Sequence, residues 1–165
     1  QFFGDYGVKA TFTNSHSTEN SNIYFNTDGS VRYEKPWATS RFYQDDFTNE
    51  LYLADYSSPT STKLINVKES TEIILPPISI STIQNGYIMA EDDNSLIGVY
   101  DSQTNLIVPH NYSFIWFTSD KYFLVKISDK YGILKDKYGI LNLDGSVRIP
   151  VIYEELFTSK SPDYF

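Results

Sequence analysis

Histidine, cysteine and paired carboxylates are the side chains that most often carry catalysis or hold a metal ion, and this sequence has few of them. It contains two histidines, His16 and His110, and no cysteine. Neither histidine has a second histidine at metal-ligand spacing, and no GxSxG motif marks a catalytic serine. We therefore expect no catalytic residue, no cofactor and no metal site, and we predict that the chain is not an enzyme.

Carboxylates form three short clusters, and these are the remaining candidates for chemistry. A glycoside hydrolase needs two carboxyl groups that face each other across a sugar cleft, one of them with a raised pKa. Consecutive acidic residues next to strands are more typical of solvated turns. A carbohydrate-binding or glycoside-hydrolysing module is kept as a third hypothesis, and it predicts an aromatic-lined groove beside Asp45-Asp46, Glu91-Asp92-Asp93 or Glu154-Glu155.

The charge of the chain narrows the class of partner. Its formal net charge is −8 at pH 7, and its isoelectric point is near 4.6. Nucleic-acid binding needs clustered lysine and arginine, so no nucleic-acid partner is expected. A protein partner is favoured instead. An acidic immunity or antitoxin protein that covers the active site of a basic toxin is the alternative, because such a surface would steer a basic partner towards it.

The composition gives weak indications of compartment. Many Asn, Ser, Thr and Tyr residues are typical of exported bacterial proteins, which favours the periplasm or cell envelope, although a chain without cysteine suits the cytoplasm equally. No apolar run approaches the roughly 18 residues of a membrane-spanning helix, so no transmembrane segment is expected. The chain begins at Gln1 rather than methionine, and we expect a preceding segment to have been removed.

An all-β fold is predicted from the residues that must form the core. The sequence has 14 Tyr and 11 Phe with many Thr, Ile and Val, which favour pleated, half-buried surfaces. No segment keeps the apolar stripe of an amphipathic helix over three turns.

Two internal matches show that the chain is built of repeats. Residues 97–116 align without gaps with residues 138–157, and this places Gly98 on Gly139, Pro109 on Pro150 and Trp116 on Phe157. The pentapeptide Asp28-Gly29-Ser30-Val31-Arg32 returns unchanged at residues 144–148. Asp-Gly between apolar segments predicts a tight hairpin turn with a positive φ at glycine. Four turns are expected near residues 28, 69, 103 and 144.

Each repeat is predicted to contain a strand, a tight turn, a second strand, a proline corner and a third strand. Pro150 should end ladder pairing because it has no N–H to donate. Trp116 occupies a repeat position and is expected in the core. The chain is interpreted as one β-repeat domain over residues 1–165, with a strand and polar loop at 1–21 and units at about 22–55, 56–91, 92–127 and 128–165.

The fourth unit resembles the WG-repeat (KWG) family of bacterial β-repeat proteins. The resemblance rests on Lys137-Tyr138-Gly139-Ile140 and on the segment from Val147 through Ile149-Pro150 to Tyr153. The third unit matches through Gly98, Pro109 and Tyr112, and the first two units keep only the rhythm of turns and strands. The resemblance implies an array of about four three-stranded repeats, open or propeller-like, that serves as an interaction scaffold, and it implies no catalytic motif.

Two features leave the ends of the array open. The strand predicted at residues 6–12 could complete the last unit, as the termini of a propeller do, or it could end a unit that precedes this chain. The segment Asp129-Lys130-Tyr131-Gly132-Ile133-Leu134 is repeated at once as residues 136–141, and the second copy is preferred as the start of the fourth unit because it aligns with the third.

The first function hypothesis is a non-enzymatic bacterial scaffold that binds a protein or envelope partner. Aromatic residues and one arginine are dense where the repeat pattern is weakest, and such residues are enriched at binding hot spots. They could equally fill the core or cap the array. The predicted partner-binding residues are Tyr33, Trp37, Arg41, Phe42, Tyr43 and Phe47.

Overall fold

The computed structural model of the protein describes residues 9–13, 20–26, 28–36, 39–119, 122–128 and 135–156. These residues form strands joined by turns, so the all-β prediction is confirmed. The chain divides into two compact structural units, the first unit (Gln1–Pro77) and the second unit (Ile78–Phe165). The four units predicted from the sequence are called repeats from here on. Within the described residues, no helix has the length and hydrophobicity needed to cross a bilayer.

The first unit holds two antiparallel sheets. The first sheet has the strand order β1-β2-β3, and its strands are β1 (Lys9–Thr13), β2 (Asn20–Phe25) and β3 (Val31–Pro36). The second sheet has the order β4-β5-β6-β7, and its strands are β4 (Ser40–Gln44), β5 (Leu51–Asp55), β6 (Thr62–Asn66) and β7 (Glu72–Leu75).

The second unit also holds two antiparallel sheets. The third sheet has the order β11-β10-β9-β8, with β8 (Ser79–Gln84), β9 (Tyr87–Glu91), β10 (Ile97–Tyr100) and β11 (Leu106–Tyr112). The fourth sheet has the order β12-β13-β14-β15, with β12 (Phe114–Ser119), β13 (Tyr122–Ile127), β14 (Lys137–Asn142) and β15 (Val147–Tyr153).

The repeat of the sequence and the sheet of the structure are offset by two strands. The predicted repeat boundaries follow Asp55, Glu91 and Ile127, and these are the last residues of β5, β9 and β13. Each boundary therefore lies between the second and third strands of a four-stranded sheet. A repeat such as 92–127 supplies the last two strands of one sheet and the first two strands of the next. Each repeat of this kind therefore has four strands rather than the three that were predicted.

The strand predicted near the N-terminus belongs to the first sheet. In the described part of the chain β1 pairs with β2, from Lys9 opposite Tyr24 to Thr13 opposite Asn20. The hypothesis that this strand completes the last repeat is wrong, because the described strands of the fourth sheet are β12 to β15. Of the duplicated hexapeptide, the second copy forms most of β14, and the first copy at 129–134 lies outside the described residues.

The predicted turns near 28, 103 and 144 share one geometry. At the fourth turn the Asn142 amide donates to the Ser146 carbonyl at 2.9 Å, and the Gly145 amide donates to the Asn142 carbonyl at 3.0 Å. The loop is thus three residues long, and its last residue is left-handed, with φ of 81° at Gly145. Gly29 and Thr104 hold the equivalent positions, with φ of 85° and 69°.

The prolines of the repeat do not end their strands. Tyr138 lies opposite Tyr153 and Ile140 lies opposite Ile149, so β15 advances four residues while β14 advances two. Pro150 falls inside this wide bulge, where a missing N–H costs no ladder hydrogen bond. β11 has the same bulge at Pro109, and the expectation of a proline corner is therefore wrong.

Each unit has a core between its own two sheets. In the second unit, Met89, Val99 and Val108 of the third sheet pack against the fourth sheet, whose contribution is Ile115, Phe117, Phe123, Val125 and Leu141. In the first unit, the core cluster of the second sheet is Leu51, Leu53, Ile65 and Val67. The arginine of the first Asp-Gly repeat ties the two sheets of this unit together, because Arg32 Nη2 donates to the Lys68 carbonyl at 3.0 Å.

Candidate partner-binding surfaces

The predicted binding residues of the first unit occupy several environments. Tyr33 on β3 and Phe42 on β4 are half-buried and pack against the core of that unit. The Tyr43 hydroxyl lies 3.0 Å from the Tyr56 hydroxyl, and Arg41 Nη1 donates to the Ser40 carbonyl at 2.8 Å. Trp37 lies outside the described residues. The aromatic cluster thus divides between core packing and surface.

Phe47 is the most exposed aromatic side chain of that predicted set among its described members, at 48%. It lies in the turn between β4 and β5, and its amide donates to Asp45 Oδ1 at 2.9 Å. Asp45 is buried and also accepts from the Thr48 amide at 3.3 Å, so this carboxylate holds the turn. The role of Phe47 and Arg41 in partner binding stays a prediction.

Asp92 of the acidic clusters and Asp144 of the repeated Asp-Gly turn are each engaged in their own turns. Asp92 Oδ1 accepts from the amides of Asn94 and Leu96 at 2.9 and 3.0 Å. The hydrogen bond from the Leu96 amide is the main cause that lowers the pKa of Asp92 below its ordinary value of 3.8. Hydrogen bonds from the Ser146 hydroxyl and amide likewise lower the pKa of Asp144. These carboxylates stabilise turns and stay ionised, which is the opposite of what a general acid requires.

His110 is likewise committed to structure. Its Nδ1 lies 2.9 Å from the Leu96 carbonyl oxygen, and its Nε2 lies 3.2 Å from the Tyr100 hydroxyl. Because a carbonyl only accepts, Nδ1 carries the proton in the neutral ring and Nε2 accepts from the tyrosine. Both ring nitrogens have protein partners in this position. His16 lies outside the described residues.

The fourth sheet presents a face that is rich in aromatic residues. Residues directly opposite one another on antiparallel strands share a face. The pairings of β12, β13, β14 and β15 therefore place two rows of four side chains on one side of the sheet. We call this surface the aromatic face, and its rows are Phe114, Lys126, Tyr138, Tyr153 and Trp116, Leu124, Ile140, Ile149.

The aromatic face is open to solvent only along its two outer strands, since Ile140 at its centre on β14 is 1% exposed. Trp116 is 49% exposed and Phe114 is 39% exposed on β12, and Tyr153 is 45% exposed on β15. The rings of Phe114 and Trp116 are stacked, with an angle of 5° between their planes and centroids 6.3 Å apart. The expectation that Trp116 lies in the core is wrong: its neighbour Phe117 points to the core side and is 1% exposed.

Charged pairs stand beside the first row of the aromatic face. Lys126 Nζ lies 3.1 Å from Asp136 Oδ2. Glu154 Oε2 accepts from Lys135 at 2.6 Å, and Glu154 Oε1 accepts from Lys137 at 3.3 Å. The hydrogen bond from Lys135 is the main cause that lowers the pKa of Glu154. Apolar rings with paired charges at their margin resemble the core and rim of a protein interface.

An arginine and a tyrosine stack at the other end of the same sheet. The Arg148 guanidinium lies over the Tyr122 ring, with its central carbon 4.3 Å from the ring centroid. Arg148 is the repeat equivalent of Arg32, which instead bonds the β6–β7 turn. Arginine, tyrosine and tryptophan are the residue types most enriched at binding hot spots.

Sequence reasoning missed the aromatic face because the segment Phe114-Ile115-Trp116-Phe117 is apolar at every position. Without alternation, the pattern does not tell which residues face the core. The register with β13 supplies the missing information, since Val125 and Phe123 are buried and lie opposite Ile115 and Phe117. The single charged residue of β13, Lys126, is the signal that could have been extended to β12, because it places the even-numbered positions of β13 on the outer side.

Within the part of the chain that the structure describes, no group of three or more His, Asp or Glu side chains is placed to hold a metal ion. In comparisons with known proteins, the sequence matches no family model, and no curated protein is significantly similar to it. The resemblance to WG-repeat proteins therefore stays a prediction from the motifs.

Proposed function

We propose that this chain is a non-enzymatic binding scaffold that recognises a protein partner through the aromatic face of the fourth sheet. The observation that carries the proposal is the exposure of Trp116, Phe114 and Tyr153 together on one side of one sheet. Phe114 and Trp116 stack on each other, and neighbouring exposed aromatic side chains of this size are typical of interaction sites.

The surrounding side chains support a protein ligand. The ion pairs at Asp136 and Glu154 give the exposed rings a polar margin, as in transient interfaces. The stacked pair of Arg148 and Tyr122 adds two further residues of hot-spot types at the far end. The hydrogen bonds that lower the pKa of Asp92 and Asp144 make these two carboxylates poor general acids.

Affinity capture with matched variants tests this proposal. The full chain is immobilised as wild type, as Phe114→Ser/Trp116→Ser, and as Ile74→Ser. Ile74 is 51% exposed on β7 of the second sheet, so its variant removes a comparably exposed apolar group elsewhere. Wild type and Ile74→Ser are expected to retain the same protein, and the double variant is expected to lose it. Equal capture by all three would contradict the proposal.

A further inference from the structure

A six-residue segment of the second unit occurs twice in succession. Asp129-Lys130-Tyr131-Gly132-Ile133-Leu134 is followed after one residue by Asp136-Lys137-Tyr138-Gly139-Ile140-Leu141, so equivalent positions are seven residues apart. The second copy supplies most of β14, which pairs with β13 on one side and with β15 on the other. The repeat pattern needs only one such segment, so the duplication is a separate feature of this chain.

The core contacts of β14 come from residues that both copies contain. Leu141 belongs to the core cluster of the second unit, and Leu141 and Ile140 are each 1% exposed. Position 139 requires glycine, because a Cβ added to Gly139 would be 2.6 Å from Val151 Cγ2. Either copy carries the side-chain pattern that fixes the register of this strand. The equivalent residues of the first copy, in the same order along the chain, are Gly132, Ile133 and Leu134.

Two ion pairs of β14 are also encoded twice. Asp136 Oδ2 lies 3.1 Å from Lys126 Nζ, and Lys137 Nζ lies 3.3 Å from Glu154 Oε1. Both partners, Lys126 and Glu154, lie outside the duplicated segment, so they are available to whichever copy forms the strand. The equivalent residues of the first copy are Asp129 and Lys130.

The connections on either side of β14 permit an exchange of the two copies. The strand is joined to β13 by nine residues, 128–136, and to β15 by four residues, 143–146. A strand formed by the first copy would span residues 130–135. The connections would then be two residues, 128–129, and eleven residues, 136–146. Loop-closure entropy depends only weakly on length, so this redistribution costs little, and two-residue connections are the commonest in β-hairpins.

Local contacts at the Asp-Gly turn favour the second copy. The Asn142 amide donates to the Ser146 carbonyl at 2.9 Å, and the Gly145 amide donates to the Asn142 carbonyl at 3.0 Å. With the first copy in the strand, Lys135 would take the place of Asn142, and both hydrogen bonds would be given up. The ion pair of Lys135 with Glu154 would also be lost, because the equivalent residue is a serine. The two arrangements thus share their core and differ in their connections and one ion pair.

We propose that β14 is a register switch, in which the first copy of the hexapeptide can replace the second between β13 and β15. The chain would shift by seven residues while the sheet keeps the same side chains. Two packings of one sequence that differ in few contacts are the physical basis of such a switch. The exchange goes beyond the proposed function: it converts a tight turn into a long loop beside Arg148 and Tyr122, so a partner that binds one form would select that register.

Three variants of the full chain test this inference. Ile140→Asp/Leu141→Asp disables the second copy, Ile133→Asp/Leu134→Asp disables the first copy, and the fourfold variant disables both. Thermal unfolding is followed by circular dichroism and by the amide resonance of 15N-labelled Gly98. This resonance reports folding of the second unit, because Gly98 lies in β10.

The variant of the first copy is expected to melt within about 2 °C of wild type. The variant of the second copy should melt lower but still cooperatively, because the first copy replaces it and leaves its two aspartates in the long loop. Its Gly132 amide should then take the chemical shift that Gly139 has in wild type. The fourfold variant should lose its cooperative transition, since charged side chains would be buried in either register.

Deletion of residues 129–135 is an independent test. It joins β13 to the present β14 through Ser128 and Asp136 alone, which is the short connection that the exchanged register requires. This variant should keep the cooperative transition of wild type. The inference is overturned if the variant of the second copy unfolds as completely as the fourfold variant, or if its Gly132 resonance stays where it is in wild type. Loss of cooperative folding in the deletion variant overturns it as well.

Discussion

Gly98 and His110 lie directly against each other across the bulge of the third sheet. A Cβ added to Gly98 would be 2.8 Å from His110 Cδ2 and 2.9 Å from the Val108 carbonyl oxygen. Gly139 has the same relation to the fourth sheet, where an added Cβ would be 2.6 Å from Val151 Cγ2 and 2.8 Å from the Ile149 carbonyl oxygen. The repeated spacing of glycine and proline has one physical cause: the bulge at the proline pushes the next residue onto the facing strand.

Gly98→Ala is expected to destabilise the protein by about 1–3 kcal/mol, because the added methyl group overpacks the bulge. His110→Ala removes the side-chain part of the clash but leaves the carbonyl of Val108. A double-mutant cycle measured by urea unfolding should therefore show partial rescue. In the equivalent cycle of Gly139→Ala with Val151→Ala the rescue should be smaller, since backbone atoms of Val151 and Ile149 also crowd the site. Strictly additive losses in the Gly98 cycle would contradict this account.

Thr104→Gly is expected to stabilise the protein by about 1 kcal/mol. Thr104 has φ of 69°, a left-handed conformation that a β-branched residue adopts under strain. Its repeat equivalent is Gly145, where the chain already has the residue that the turn requires. The midpoint of urea unfolding measures the gain.

Gly145→Thr is the reciprocal change and should cost more than Thr104→Gly gains. A Cβ at Gly145 would clash with the Ile107 carbonyl oxygen. In addition, threonine would have to adopt the left-handed φ of 81° that Gly145 has. A loss of stability in Thr104→Gly would show that the turn at 101–105 is not strained.

Phe117→Ala and Trp116→Ala should differ widely in their loss of stability, although the two residues are neighbours in the sequence. Phe117 is 1% exposed within the core of the second unit, so truncation should cost about 3–5 kcal/mol. Trp116 is on the other side of β12, and its loss should cost less than about 1 kcal/mol. Thermal and urea unfolding of the two variants provide the comparison. A larger loss for Trp116→Ala would place the core on the other face of the sheet.

Stability should fall in acid because of the turn carboxylates. The pKa values of Asp28, Asp92, Asp101 and Asp144 are all lowered by hydrogen bonds in the folded state. A lowered folded-state pKa stabilises the native chain above the unfolded-state pKa, and this contribution is lost as the pH falls through the folded-state value. The melting temperature should thus decline below about pH 4.

Asp144→Asn should reduce that acid-dependent decline, since it removes one of the groups that must be protonated. Melting temperatures of wild type and variant, followed by circular dichroism from about pH 6 to about pH 2.5, give the comparison. Identical pH profiles for the two proteins would rule out a contribution from this turn.

The sequence predicts turns better than faces. Asp28-Gly29 and Asp144-Gly145 identify their hairpins because the left-handed residue of the turn is a local requirement, visible in the residue itself. The face of Trp116 depends on how β12 pairs with β13, which is information from a distant part of the chain. A continuous apolar segment allows either register.

The division into sheets was equally hidden from the sequence. The predicted boundaries do coincide with the ends of β5, β9 and β13, because polar residues there mark true strand ends. Nothing local shows that the strands on either side of such a boundary join one sheet. Binding residues follow the same rule: Tyr33 has a hot-spot residue type, but it packs against the core cluster of the second sheet.

The offset between repeat and sheet bears on how such chains can gain or lose length by recombination. Deletion of one full period, residues 92–127, would remove β10 to β13 and leave β8 and β9 followed by β14 and β15. Those strands come from corresponding positions of two sheets with matching registers, so they can rejoin as a single complete sheet. Crossing-over between repeats would thus change the number of sheets by one. It would not leave a two-stranded remnant of a sheet whose backbone hydrogen-bonding groups lack a neighbouring strand.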